Sequence, residues 1–450
     1  MSAEGGVHPE LPQEPTNTFA VASHLLDHWC ARPGGFAVLD LDDSEFSAWS
    51  DLVADVESQF DRCDGTLDAD DLRWIDSTRG RVADDHLWAQ AVAWGLDLST
   101  WSTFTALWHA SIGSVASYRP QAGELYPVGD WLPDPPAGLR RSVRPSAEST
   151  YRDELPHLRR WDDAIATGSD AVSVEFYFDA EAEVRASAEA ATVASIHANG
   201  NDGEFKMTGT TSLFPVVPTP GDQGARIVRL LEACSSHNAG IAVGGEVSLT
   251  NTVIDEVQAW LDASWTAPPL TVVGSIHKTV GSEPANLSLA LCRRRQRLEH
   301  RKVVPFERST SKSTQPVREG IVPGPRLIKV WVGGWARFSM LICRDLLDPA
   351  MRLAVSRAGV NLLAVPTYSD ETSSYTVHVA SISLATQGRV LLANNPTRFS
   401  GAVVNPVAVF GEPITNRSAL PLTLEAESLG SGRGVGLSLL GRTAEWQEID

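Results

Sequence analysis

Residues 327–366, LIKVWVGGWARFSMLICRDLLDPAMRLAVSRAGVNLLAVP, decide how the rest of the chain is read. Two apolar, β-prone runs, 327–332 and 336–343, flank Gly333-Gly334, a pair suited to a tight hairpin turn. Asp348-Pro349 predicts a helix start, because an Asp carboxylate accepts from the orphan N–H groups of a first turn and Pro has no N–H there to leave unpaired. The helix should run through Arg352 and Arg357 to Gly359, a residue type that takes up the left-handed conformation after a helix end. A buried strand over 360–365 follows and closes at Pro366. The order is strand, thiol-bearing turn, helix, strand, with Cys343 where its strand ends. Open α/β sheets bind ligands outside the carboxyl ends of their strands, and the thiol is delivered there.

The rest of the second half follows the same rhythm: a strand over 213–217, a helix over 222–237, a strand over 240–244 ending at Gly245-Glu246, and a strand over 270–274. Beyond Pro366 come a helix over 375–387, stopped by Gly388, and a strand over 390–394.

At Cys343 the wording resembles the nitrilase, or carbon–nitrogen hydrolase, superfamily, whose nucleophile motif carries Ile-Cys, an aromatic, Asp, then Pro-Glu, an apolar strand and Pro. Ile342-Cys343, Asp345, Pro349 and 362–366 fall in register, with Arg344 in place of the aromatic, Ala350 in place of the Glu, and Arg352 one place early. That family carries a Glu on an early strand and a Lys between it and the Cys. Glu246 stands at the first position, preceded by Gly245 where Pro is usual. Asn286 and Leu289-Ala290 are similar to the family's N-x-A stretch. Glu299-His300-Arg301-Lys302 with Phe306 resembles its (Y/H)-R-K-x-x-x-F, which makes Lys302 the implied lysine. A second, structural Glu is common between that Lys and the Cys; Glu319, followed by Gly320, suits the context, and Glu307 is the rival. The strand 390–394 and Ser400 to Pro406 are similar to later family stretches. The resemblance spans about residues 205–450.

It implies a nitrilase-like α-β-β-α sandwich and hydrolysis of a non-peptide C–N bond, an amide first, with nitrile or carbamoyl substrates open. Amides are weak electrophiles, and a covalent thioester divides one hard step into two easier ones. A free thiol is only a few per cent thiolate at neutral pH, so a base is needed. Glu246 would be that base, Cys343 the nucleophile, and Lys302 with the backbone N–H of Arg344 the stabilisers of the oxyanion. Glu319 would hold the ammonium. No cofactor or metal is implied, and paired sandwiches of the family imply a homodimer. The substrate-binding residues stay unassigned. Three other readings stand: a ligand-binding scaffold with a hydrolase-like domain, an acyltransferase to an amine, and a Cys-His-Asp site drawing on His300 or His378. The last lacks the glycine flanks of a nucleophile elbow.

Charge separates the halves. Residues 1–200 hold 34 Asp and Glu against 13 Arg and no Lys, net −21, while the remainder is near balance at +2. Phosphate contacts need Lys and Arg, so no nucleic-acid partner is expected. The acidic half reads either as a solvated face that keeps the chain soluble or as a docking surface for a basic protein. Helix-like spacing over 19–31, 44–60 (Phe46, Trp49, Leu52, Val53, Val56), 82–95 and 100–111 makes residues 1–119 a mostly helical acidic domain. Nine of the 14 Trp lie in the first half and read as core anchors. The Asp-rich 61–71 fails as a calcium loop: with Gly65 at the glycine position, Phe60 and Arg62 fall where ligands belong. A proline-rich arm or linker is expected over 120–170. Residues 171–204, of uncertain allegiance, contain a strand over 172–178 and an Ala-rich helix over 180–198. The hydrolase-like domain occupies 205–450. Five unpatterned cysteines and the absence of an apolar run of membrane-spanning length suit a cytoplasmic protein, with no membrane partner.

Overall fold

The computed structural model describes residues 10–11, 16–30, 42–61, 66–99, 117–121, 125–127, 158–161, 171–208, 212–219, 221–293, 296–308, 316–333, 336–386, 388–412, 422–424, 433–439 and 444–449. The chain forms two units: Met1–Asp130 with Arg144–Asp163, and Trp131–Val143 with Ala164–Asp450. None of the described helices is long and apolar enough to cross a membrane.

The first unit holds helices Thr18–Cys30, Asp43–Phe60, Ala69–Ser77 and Asp85–Ser99. Two begin with reciprocal caps: Asp42 and Glu45 on the second helix, Asp68 and Asp71 on the third. Each satisfies amides that a first turn leaves unpaired, and capping is the task that Asp68 and Asp71 of the Asp-rich run perform. Trp49, Leu52, Val53, Val56 and Phe60 form the buried stripe of Asp43–Phe60. Phe46, expected on that stripe, is instead exposed and stacks on Trp49. At Gly95 a Cβ would lie 2.5 Å from Val56 Cβ and 2.9 Å from Val53 O, so the helices Asp43–Phe60 and Asp85–Ser99 touch backbone to side chain. The helix expected over 100–111 lies outside the described residues, as does most of the expected arm; from the latter, Leu125–Pro127 pairs antiparallel with Leu158–Arg160.

The second unit is a four-layer sandwich. One sheet runs Arg297–Arg301, Glu283–Leu291, Leu270–Val280, Ala239–Gly244, Thr192–His197, Gly434–Leu439, Ala444–Glu448 in spatial order. The other includes Leu422–Leu424, Ala408–Gly411, Arg389–Asn394, Leu362–Thr367, Ala336–Met340, Leu327–Gly333 and Ser173–Tyr177. Along the central strands successive side chains alternate between faces. Val193, Ile241, Val243 and Val272 of the first sheet meet Phe338, Met340, Ala364 and Leu391 of the second in one core. Ala194, Ile196, Ala242 and Val273 point the other way, onto Ile227, Leu230 and Leu231 of helix Gln223–Ser236 and Val253, Val257 and Leu261 of helix Asn251–Ala263. Helices Pro349–Arg357 and Ser373–Thr386 pack on the second sheet. Burial of one Leu, Ile or Val side chain is worth about 1.5–3 kcal/mol, and the two clusters together hold the layers.

Three sequence expectations change. Residues 180–198 are not one helix: Glu181–Glu189 is helical, then Thr192–His197 is a strand at the heart of the first sheet. The β-branched Thr192, Val193 and Ile196 fit a buried pleat, which outweighs the local alanine content. The strand expected over 213–217 is broken into Ser212–Leu213 and Val216–Pro218 around Phe214-Pro215. The strand expected to end at Cys343 stops at Met340.

Replacing Gly95 by Val should destabilise the first unit by about 1–3 kcal/mol, since the contact includes backbone that cannot move aside. Urea unfolding followed by tryptophan fluorescence measures it, and an unchanged midpoint would contradict the close approach.

Candidate active site

Each functional side chain sits just past or at the end of a strand, and the local sequence explains how. Glu246 follows Ala239–Gly244. Its backbone N–H donates to Thr367 O at 3.1 Å, and Thr367 O also accepts from Asn395 N at 2.9 Å. A Cβ on Gly245 would lie 2.0 Å from Asn395 Cβ and 2.7 Å from Asn395 N. No residue larger than glycine fits, which accounts for the missing Pro before Glu246. Val247, next in line, adopts φ 52.

Lys302 leaves strand Arg297–Arg301 with its N–H on Asn286 O at 2.9 Å and its carbonyl accepting from Gly324 at 2.8 Å. Its ammonium is enclosed by two carboxylates: Glu246 Oε1 at 2.5 Å and Glu319 Oε2 at 2.7 Å. Asn286 Nδ2 joins the same two groups, donating to Glu246 Oε1 at 2.7 Å and Glu319 Oε1 at 2.8 Å. Glu246 Oε2 accepts from Tyr368 N at 3.0 Å. Glu319 Oε2 accepts from Phe306 N at 2.9 Å. His277 completes the shell. Its Nδ1 accepts from Val216 N at 2.9 Å, so the ring proton is on Nε2 and is donated to Glu319 Oε1 at 3.0 Å. Glu319, not Glu307, therefore lies on the lysine; Glu307 is on the surface, paired with Arg318.

Cys343 opens the 3-10 turn Cys343–Leu347 with φ 48, a left-handed conformation uncommon for a residue bearing a Cβ. One carboxylate fixes that turn. Asp345 Oδ2 accepts from Ile342 N at 3.2 Å and from His300 Nε2 at 2.9 Å. Asp345 Oδ1 accepts from Val303 N at 3.0 Å and Val304 N at 2.7 Å. The thiol turn and the segment leaving Lys302 are thus tied to the same buried side chain. Downstream, Asp348 caps helix Pro349–Arg357 through Ala350 N and Met351 N, and Gly359 has φ 67, as their sequence positions predict. Arg344 lays its guanidinium 5.7 Å from the Phe306 ring centre.

Cys343 is 1% exposed. Tyr375 Oη lies 3.2 Å from it and Tyr368 O 4.0 Å. Neither His300, which bonds Asp345, nor His378 is among its described partners, so the Cys-His-Asp arrangement is not formed. Burial, then the Glu246 charge, pushes the Cys343 thiol up to about 12 despite Lys302. Burial also raises Glu246, against the pull of Lys302. Lys302 would lose its proton more easily on burial alone, yet the carboxylates of Glu246 and Glu319 hold it well above its ordinary range. Glu319 moves the other way: against burial, the Lys302 ammonium and the His277 bond keep it well below an ordinary Glu.

Beside this cluster is a cavity of about 230 Å³, walled by Met207, Leu213, Val216, Val247, Phe306, Val317, Tyr368 and Phe399, with Glu246, Lys302, Glu319 and His277 in its lining and Asp370 also on its wall. Of the basic residues before Lys302, Arg293 lies over Trp265 and Arg301 pairs with Glu283, and neither is among the described lining residues; Arg294 and Arg295 are outside the described residues. No group of three potential metal ligands occurs among the described residues. Sequence reading missed the functions of His277, Asp345, Asn286 and Tyr375 as partners of the cluster. Asn286 and Asp345 were visible as motif letters, whereas nothing local distinguishes His277 or Tyr375.

No family model matches the chain, and no curated protein does. Among solved structures, an amidase from Nesterenkonia sp. AN1 is similar at 17% identity over 55% of this chain and 92% of its own, with a TM-score of 0.41. A mutant of that amidase, described as of the nitrilase superfamily, matches at 16% identity over 56% of this chain and 90% of its own, TM-score 0.42. A further mutant, with acrylamide added at its active-site cysteine, matches at 16% identity over 55% and 92%, TM-score 0.41. Likeness at this level bears on neither activity nor substrate.

Asp345→Ala would leave His300 and three backbone amides without their buried acceptor. A loss of about 3–5 kcal/mol is expected, read as a lower denaturation midpoint. A variant as stable as the parent would show that the turn is held by other means.

Proposed function

We propose that this chain is a carbon–nitrogen hydrolase of the nitrilase superfamily that opens an amide through an acyl-enzyme on Cys343. One observation carries the reading: an ammonium clasped by two carboxylates from distant segments, with a thiol on a strained turn inside their electrostatic reach. A structural ion pair needs no thiol beside it, and a core cysteine needs no left-handed turn.

In this mechanism Glu246 takes the Cys343 proton as sulfur bonds to the carbonyl carbon, and the carbonyl oxygen becomes an oxyanion facing Lys302 and the Arg344 N–H. Such a donor is worth about 3–4 kcal/mol of barrier. Collapse breaks the C–N bond, and Glu246 passes its proton to the departing nitrogen. Water then attacks the thioester, giving a proton back through Glu246 to sulfur and releasing the acid. Glu319, held ionised by Lys302, His277 and Phe306 N, keeps the lysine protonated. The apolar walls favour an apolar acyl group. Lys302 is the one cation among the described lining residues, and it is already shared by two carboxylates. Among these residues a substrate carboxylate would meet Asp370 instead of a free partner.

Intact-mass spectra with a panel of uncharged aliphatic and aromatic amides should show an acyl adduct on Cys343, absent from Cys343→Ala, which should also lose turnover. An adduct on another residue, or full turnover in Cys343→Ala, would sink the proposal. Glu246→Gln should lower kcat by roughly 10²–10⁴.

The base works only when ionised, and burial raises its pKa. Activity should therefore fall on acidification at a pH above the ~4.3 of an ordinary Glu. Glu319 adds to that rise by repulsion, so in Glu319→Gln the acid limb of kcat/KM should move to lower pH. A limb at the ordinary value in the parent enzyme would remove Glu246 from the role.

A further inference from the structure

Tyr375 stands in the first turn of helix Ser373–Thr386, its side chain 4% exposed and its hydroxyl 3.2 Å from the Cys343 sulfur. The start of that helix is anchored on both sides. Tyr375 N–H donates to Thr372 O at 3.0 Å, and the Thr372 hydroxyl donates to Pro406 O. The direction of the hydroxyl–sulfur bond follows from the neighbours. A thiol has one proton, and the Tyr368 carbonyl at 4.0 Å can only accept, so the S–H points there. The phenol has no other acceptor among the described residues, and its proton is left to donate to a sulfur lone pair. Burial and the adjoining sulfur raise the phenol's pKa, so it keeps that proton.

We propose that Tyr375 is a catalytic residue of this site, its O–H donating to the Cys343 sulfur and holding the negative charge there once the thiol proton has gone to Glu246. The inference rests on Cys343 being the nucleophile. No proton leaves the phenol at any step: Glu246 carries the proton from sulfur to nitrogen, and the O–H···S bond strengthens while sulfur is anionic and weakens as the S–C bond forms. Lys302, which lies in the cavity lining, serves the same charge; neither Cys343 nor Tyr375 is among the described lining residues.

The test is alkylation of Cys343 by iodoacetamide, followed by intact mass across pH 6–10 and corrected with Cys343→Ala for the other cysteines. In Tyr375→Phe, which keeps the ring and loses the donor, the rate at pH 8 should fall roughly three- to tenfold and the profile should move to higher pH by about one unit, the effect of a lost charge-assisted bond partly offset by a more nucleophilic sulfur. Turnover should fall with it. Tyr375→Gln, which keeps a donor and loses the ring, should stay closer to the parent profile and covers the case in which Tyr375→Phe does not fold. An unshifted profile in Tyr375→Phe, or faster alkylation, would overturn the assignment and make the ring a cover over the sulfur. Because alkylation requires no turnover, the two readings separate. A shifted profile in a protein that cleaves no amide keeps Tyr375 and discards the hydrolase. Amide cleavage with an unshifted profile does the reverse.

Discussion

A fully buried ammonium is the constraint around which this half of the molecule is arranged. Lys302 is 1% exposed, and an isolated charge at that depth costs several kcal/mol even after relaxation. It can exist only where partners are fixed in advance. Two carboxylates meet it, and those carboxylates in turn need Asn286, His277 and the amides of Phe306 and Tyr368. The cluster is therefore satisfied from several strand ends at once. Sequence positions far apart are forced together by one electrostatic requirement.

The thiol depends on the same scaffold through a different carboxylate. Asp345 holds the amides of Val303 and Val304, just after Lys302, together with the amide of Ile342, just before Cys343. The separation of sulfur and ammonium is set by one rigid side chain, not by a loop. This makes Asp345 a positioning group, and it explains how a left-handed Cys343 is tolerated: strain of that kind persists only where surrounding bonds over-determine it.

Much of this was legible in the residues. Asp348-Pro349 and Gly359 announced a helix, the alternation of apolar strands and helices announced an α/β fold, and the family resemblance implied its sandwich form. Motif wording and order singled out Glu246, Lys302 and Cys343; the glycine after Glu319 favoured it over Glu307, and the structure puts Glu319 on the Lys302 ammonium and Glu307 on the surface with Arg318. Thr192–His197 was misread because local alanine content speaks for a helix, while the decisive factor, burial between two other strands, is not local. His277 and Tyr375 could not have been found, since their importance lies in what approaches them from elsewhere. The break at Met340 illustrates a further limit: apolar character continues through Leu341 and Ile342, but the strand's pairing ends earlier so that the chain can turn.

Gly245 ties these observations together. With no side chain there, the loop carrying Glu246 rests directly on Asn395 and hooks to Thr367, both at the ends of strands in the opposite layer. Glu246 belongs by sequence to one sheet and by contact to the other, whereas Cys343 follows a strand of the second sheet. Where the Glu246 carboxylate stands relative to the Cys343 sulfur then depends on how the two layers pack. Cohesion of the sandwich and alignment of these two side chains are one mechanical quantity here, and the chain has no means of relaxing the first while preserving the second.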